Sequence, residues 1–101
     1  MTGTPSQIEW AERIKPRVAA EFDRVAAAFQ SVAGNQSEQA RSDTRAILAI
    51  LEEKRAEVMT RDQAGYFIHE WQELNDQVRK MIAQDSRYQA LHANRLARKI
   101  A

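Results

Sequence analysis

Between residues 60 and 82 the chain reads TRDQAGYFIHEWQELNDQVRKMI, in which Ala64, Phe67, Trp71, Leu74, Val78 and Met81 follow one another at alternating steps of three and four. That spacing puts six apolar side chains on one side of an α-helix, with Ile68 and Ile82 widening the stripe. A strand cannot reproduce it, because successive side chains of a strand alternate between faces. One side of this helix has to be buried, so the rest of the chain must supply a matching surface.

Two further segments supply one. Ile8, Ala11, Val18, Phe22, Val25, Phe29 and Val32 keep heptad spacing, with Lys15 in the one gap and Ile14 beside it, which makes a coiled-coil-like seam. Ser6 with Glu9 three residues on forms a capping-box pattern, so a first helix is predicted over residues 7–33. Pro16 removes a backbone donor inside it and predicts a kink or break between Arg13 and Arg17. Gly34-Asn35 is the stop signal, with glycine suited to a left-handed residue past the helix end. Asn35 or Ser37 can then cap a second helix over residues 36–59. Its stripe of Ala40, Thr44, Ile47, Leu51 and Val58, flanked by Leu48, Ile50 and Met59, is broad enough to touch two neighbours.

Thr60 as cap, with Gln63 completing the box, starts the third helix over residues 61–84. Without that cap, residues 36 to 84 would form one rod. Gly65 inside the third helix predicts close approach of a neighbouring helix beside Ala64. Asp85-Ser86 caps a fourth, shorter helix over residues 87–100, whose amphipathicity is poor: Tyr88, His92, Arg95 and Lys99 share one side, while Leu91, Leu96 and Ile100 spread over the remainder. The fold class is therefore all-α, a small helical bundle of three long helices and a shorter C-terminal one, in a single domain spanning residues 1–101. At 101 residues, three glycines and two prolines, there is little to divide it.

Composition narrows the function by exclusion. The chain has no cysteine, which removes disulfides and thiolate metal sites and fits the cytoplasm. The longest apolar run, residues 46–51, is far short of a membrane span. The opening MTGTPSQIEW has neither the basic nor the apolar region of a secretion signal, and no lipidation motif is present. His69-Glu70-Trp71-Gln72-Glu73 misses the zinc motif HExxH at its last position, and His92, the other histidine, is in a different predicted element. The Glu-x-x-His pattern of di-iron bundles also fails, with Tyr66 before His69 and Gln89 before His92. No serine or threonine lies in a nucleophile elbow or phosphate loop, and Glu52, Glu53, Glu57 and Asp62 read as a solvated charged face. No catalytic residue, metal or cofactor is expected.

What remains is binding. Trp10 projects off the first seam, and Tyr66 points away from the third stripe. An aromatic ring with a polar tip is favoured where proteins meet. Leu96 and Ile100 lack a clean apolar face of their own. These four residues are the expected contacts for a protein partner, a second copy of the chain included, and pairing into a dimer would cover the last helix. The blander readings are an indole folded over Pro16 and an incidental surface tyrosine. Asn75, inside the third stripe, could fix register or simply pair within the bundle.

The alternative partner is nucleic acid. The formal net charge of the chain is +1, yet residues 85–101 hold one acid against Arg87, Arg95, Arg98 and Lys99, close to Tyr88 and His92. Such a group can meet phosphates and stack on a base. Cations in a last helical turn also complement the helix dipole, and that reading is preferred because the basic excess is small.

Overall fold

Thr4 sets the start of the first helix. Its hydroxyl accepts a hydrogen bond from the Gln7 amide at 3.2 Å, while its own amide donates to Gln7 Oε1 at 2.9 Å. Pro5 occupies the first helical position, where a missing N–H costs nothing. The capping box is thus Thr4 with Gln7 rather than Ser6 with Glu9, and the helix starts at residue 5, not 7. The structure, a computed structural model, describes residues 1–100, excluding the side chains of Asn75, Arg95, Leu96, Arg98, Lys99 and Ile100.

Five helices occupy most of the described residues: α1 (Pro5–Ala33), α2 (Glu38–Met59), α3 (Ala64–Glu70), α4 (Leu74–Gln84) and α5 (Ser86–Ile100). The chain is all-α, and the described residues contain no strand beyond an isolated parallel bridge between Thr2 and Gln63. No helix among them is long and apolar enough to cross a membrane.

Helix α1 is the spine. It packs against α2, α3 and α4, while α5 lies on α4 and α2. Its 29 residues make a rod of roughly 43 Å at 1.5 Å per residue, and the molecule is correspondingly elongated at 56 × 23 × 19 Å. Of the kink or break expected at Pro16, the break is absent: α1 runs through the proline as one helix. The seam holds at Ala11, Val18, Phe22 and Val25, all buried, and runs out at Val32, which is exposed. Lys15, in the gap of the seam, puts its ammonium 5.9 Å from the centroid of the buried Phe67 ring.

Helix α1 ends at Ala33 as the glycine signal requires, although Gly34 is right-handed (φ −63°, ψ −25°) and not left-handed. Ser37 is the cap of α2, accepting from the Ala40 amide at 3.2 Å. Ile47, Ile50, Leu51 and Val58 are buried along α2, and Thr44 is buried with them through hydrogen bonds to Ala40 O and Gln36 Oε1.

Thr60 caps the end of α2 rather than the start of the next helix: its hydroxyl donates to Glu57 O at 2.8 Å. Residues 60–63 leave the helix, so a single rod over residues 36–84 is excluded. This linker is held by the N-terminal residues. The Thr2 amide donates to Asp62 O at 2.7 Å, the Ala64 amide to Thr2 O at 2.8 Å, and the Met1 amino group lies 3.2 Å from Asp62 Oδ1. Gly3 makes this clasp possible. It has φ +142°, and a Cβ there would sit 3.0 Å from Ala64 Cβ, a conformation and a contact that only glycine accepts without strain. The close approach expected at Gly65 is therefore found at Gly3: a Cβ on Gly65 would meet only His69, one turn on in its own helix.

The predicted third helix, residues 61–84, is divided. Helix α3 ends at Glu70, residues 71–73 leave the helical path, and α4 begins at Leu74. The stripe itself is buried as expected at Ala64, Phe67, Ile68, Trp71, Val78 and Ile82. Trp71 lies at the break, 2% exposed, its ring 5.9 Å from that of Phe22. No residue at the interruption has a local helix-stopping tendency, and α3 and α4 both pack on α1 on either side of it. One sign of the cost is Trp71 Nε1, which is buried with no hydrogen-bond partner in the described structure.

Asp85 closes α4 and opens α5. Its Oδ1 accepts from the amides of Arg87 and Tyr88, and Lys54 of α2 reaches Oδ2 at 3.0 Å. Arg87 spans Asp85 and Glu53, at 3.0 and 2.6 Å. Hydrogen bonds from Arg87, then from Lys54, hold the Asp85 carboxyl well below the usual carboxylate range. A carboxyl with a depressed folded-state pKa contributes stability that is complete above its unfolded value, about 4, and is lost as pH falls below it. Asp85→Asn is accordingly expected to lower the melting temperature at neutral pH and to flatten its acid decline, with the two proteins converging at the acid end of a thermal scan. Parallel curves from neutral to acid pH would show that Asp85 is not a source of that decline.

Candidate partner-binding surface

A helix turns about 100° per residue, so the seam that buries Ala11 and Val18 leaves Trp10 on the flank of α1. Ile14 and Arg17 follow it at steps of four and three, and Arg13 lies one turn on at its other side. These four residues border one open surface depression. Trp10 is 57% exposed, whereas Ile14 is half-buried against the core. The strip thus has an apolar floor and a projecting aromatic ring.

The cations beside it differ in how far they are already used. Arg13 Nη2 meets Glu9 at 2.7 Å, an exposed pair of small energetic weight. Further along, Arg24 holds both oxygens of the buried Glu21 carboxylate, and these hydrogen bonds keep Glu21 below the ordinary glutamate range. Arg17 belongs to no ion pair among the described residues. The Trp10 strip therefore carries uncompensated positive charge at Arg17, within reach of the indole.

The other expected positions are placed differently. Tyr66 is half-buried, edge-on to Phe67 at 5.2 Å, and the Arg61 guanidinium covers its ring at 4.7 Å. Its face is occupied from within the chain. Tyr88 and His92 stack on each other at 6.2 Å, with 9° between their planes. Arg87 is committed to Asp85 and Glu53, and the acidic partners push its pKa upward. Leu96, Ile100, Arg95, Arg98, Lys99 and Asn75 lie outside the described side chains.

Phe29, Asp43, Ile47, Tyr88, Leu91 and His92 line a cavity of about 20 Å³, room for roughly one water molecule. No group of three or more His, Asp or Glu side chains among the described residues is arranged to hold a metal ion. Glu53 turns to Arg87, and Asp62 to the Met1 amino group, so the acidic residues near the end of α2 do not converge.

Of the four residues around the Trp10 depression, the sequence pointed to Trp10 alone. Ile14, Arg13 and Arg17 were legible beside it at steps of four, three and seven, but Ile14 read as lying beside the seam and the arginines only as the bounds of the kink or break at Pro16. Comparison with known proteins yields no match, whether to protein-family models, to characterised proteins or to solved structures.

Proposed function

We propose that the protein is a small non-catalytic interaction module that acts by binding a protein partner through the Trp10 face of α1. The observation that supports it is the 57% exposure of Trp10 beside the apolar floor of Ile14 and the unpaired Arg17. Tryptophan and arginine are the residues that most often dominate binding energy, through a large apolar body and a planar charged fork. The complementary partner carries an apolar pocket bordered by carboxylates.

In a capture experiment from a lysate of the native cells, the immobilised protein retains a partner, and Trp10→Ala with Arg17→Glu reduces that retention at least tenfold. The substitutions are exposed, so the unfolding free energy moves by no more than about 0.5 kcal/mol each. Equal retention by both proteins would sink the assignment of this face.

Nucleic-acid binding through α5 is the competing reading. It has less support, because Arg87 is neutralised within the chain and Tyr88 stacks on His92. A mobility shift at low salt that steepens with salt removal and is lost in Arg87→Ala would favour it.

A further inference from the structure

We infer that α4 and α5 can exchange between two copies of the chain by straightening of the break at residues 71–73. Four observations converge on this segment. The apolar stripe runs through it in unbroken three-and-four spacing, from Phe67 through Trp71 and Leu74 to Val78. It contains neither glycine nor proline. Glu73, at the cap position of α4, makes no side-chain capping bond, and neither does Gln63 at the start of α3. Trp71 Nε1 is buried without a partner.

An interrupted helix leaves carbonyls unpaired on one side of the gap and amides unpaired on the other. Continuing the helical path across residues 71–73 pairs them with each other. Residues 64–84 then form one rod of roughly 31 Å at 1.5 Å per residue, and α4 with α5 swings off its own α1. That movement uncovers Val78 and Ile82, which are 0% and 3% exposed. The surface that fits them is the flank of α1, together with α2 for α5. Only a second copy of this chain offers the same surface, and reciprocal exchange restores the packing of α4 and α5 outside the hinge in both copies. Competing against it is the lost freedom of two chains becoming one, so the dimer forms with rising concentration.

The exchange is distinguishable from side-by-side association by its connectivity. Glu53 of α2 and Arg87 of α5 are in contact at 2.6 Å, and both are about half-exposed. In a chain without other cysteines, Glu53→Cys with Arg87→Cys gives a pair that a short bis-maleimide joins. Within a monomer or a side-by-side dimer the link closes inside one chain. In the exchanged dimer it joins two chains, and a denaturing gel shows twice the 11.6 kDa mass.

The expected result is a concentration-dependent dimer by light scattering, with interchain links at high protein concentration and intrachain links at low. Leu74→Pro places proline at the first position of α4, where the broken helix tolerates it and the continuous one does not. Proline inside a helix costs about 3 kcal/mol, so dimerisation should weaken roughly a hundredfold for each of the two hinges. A mass of 11.6 kDa at every concentration overturns the inference, as does a dimer whose links are all intrachain. Retention of the dimer by Leu74→Pro overturns it too. Trp10→Ala leaves the exchange unchanged, so the two proposals stand or fall separately.

Discussion

Phe67→Ala lowers the unfolding free energy by about 3 to 5 kcal/mol in urea titration, the range for emptying a large buried aromatic site. Helix α3 has only seven residues, too few to persist alone in water, so it depends on what it packs against. Phe67 is its largest fully buried side chain. The ring lies beneath the Lys15 ammonium and edge-on to Tyr66, so truncation also removes an aromatic contact and leaves the lysine stem over a void. A helical protein of this size has roughly 5 to 10 kcal/mol to lose. The variant should therefore be marginal at physiological temperature. A loss below about 1 kcal/mol would mean that the ring is not enclosed.

Trp71 is the second large effect, and the chemistry of its substitute decides the outcome. Trp71→Ala removes the indole that packs on Phe22, with an expected loss of about 3 to 5 kcal/mol. Trp71→Phe keeps an aromatic body against Phe22 and deletes Nε1, whose burial without a hydrogen bond costs about 1 to 3 kcal/mol. The phenylalanine variant should lose less than half of what the alanine variant loses. Equal losses from the two substitutions would show that burial of Nε1 carries no such cost.

These two residues also mark where the sequence is legible and where it is not. Phe67 and Trp71 were assigned to the core by their spacing alone, and both are buried. Periodicity records which side of a helix is covered, and it survives a change of axis, so the division between α3 and α4 left no trace in it. Pro16 shows the opposite case, a local signal that allowed a break where none occurs. Its effect on a helix is local, but a long seam packed on α2, α3 and α4 keeps α1 continuous through it. The clasp of Thr2 on Asp62 and Ala64 was beyond reach as well, because it joins residues about sixty positions apart through backbone atoms that carry no side-chain pattern.

On the candidate surface, Trp10 was legible as the aromatic residue off the seam. Tyr66 was read by the same logic, but only the fold places Arg61 over its ring. Arg87 was counted with the tail cations, and only the fold brings Glu53 to it from α2. Charge read along a sequence is formal charge, and ion pairs between helices decide how much of it remains to meet a partner.

The assignment of the Trp10 face to a protein partner is tested most directly by placing a photo-crosslinking residue, p-benzoylphenylalanine, at position 10 in the native cells, with position 57 of α2 as an exposed control. The account predicts a discrete adduct from position 10 that falls when Arg17→Glu is added, and none from position 57. No adduct from position 10, or the same adducts from both positions, would contradict it.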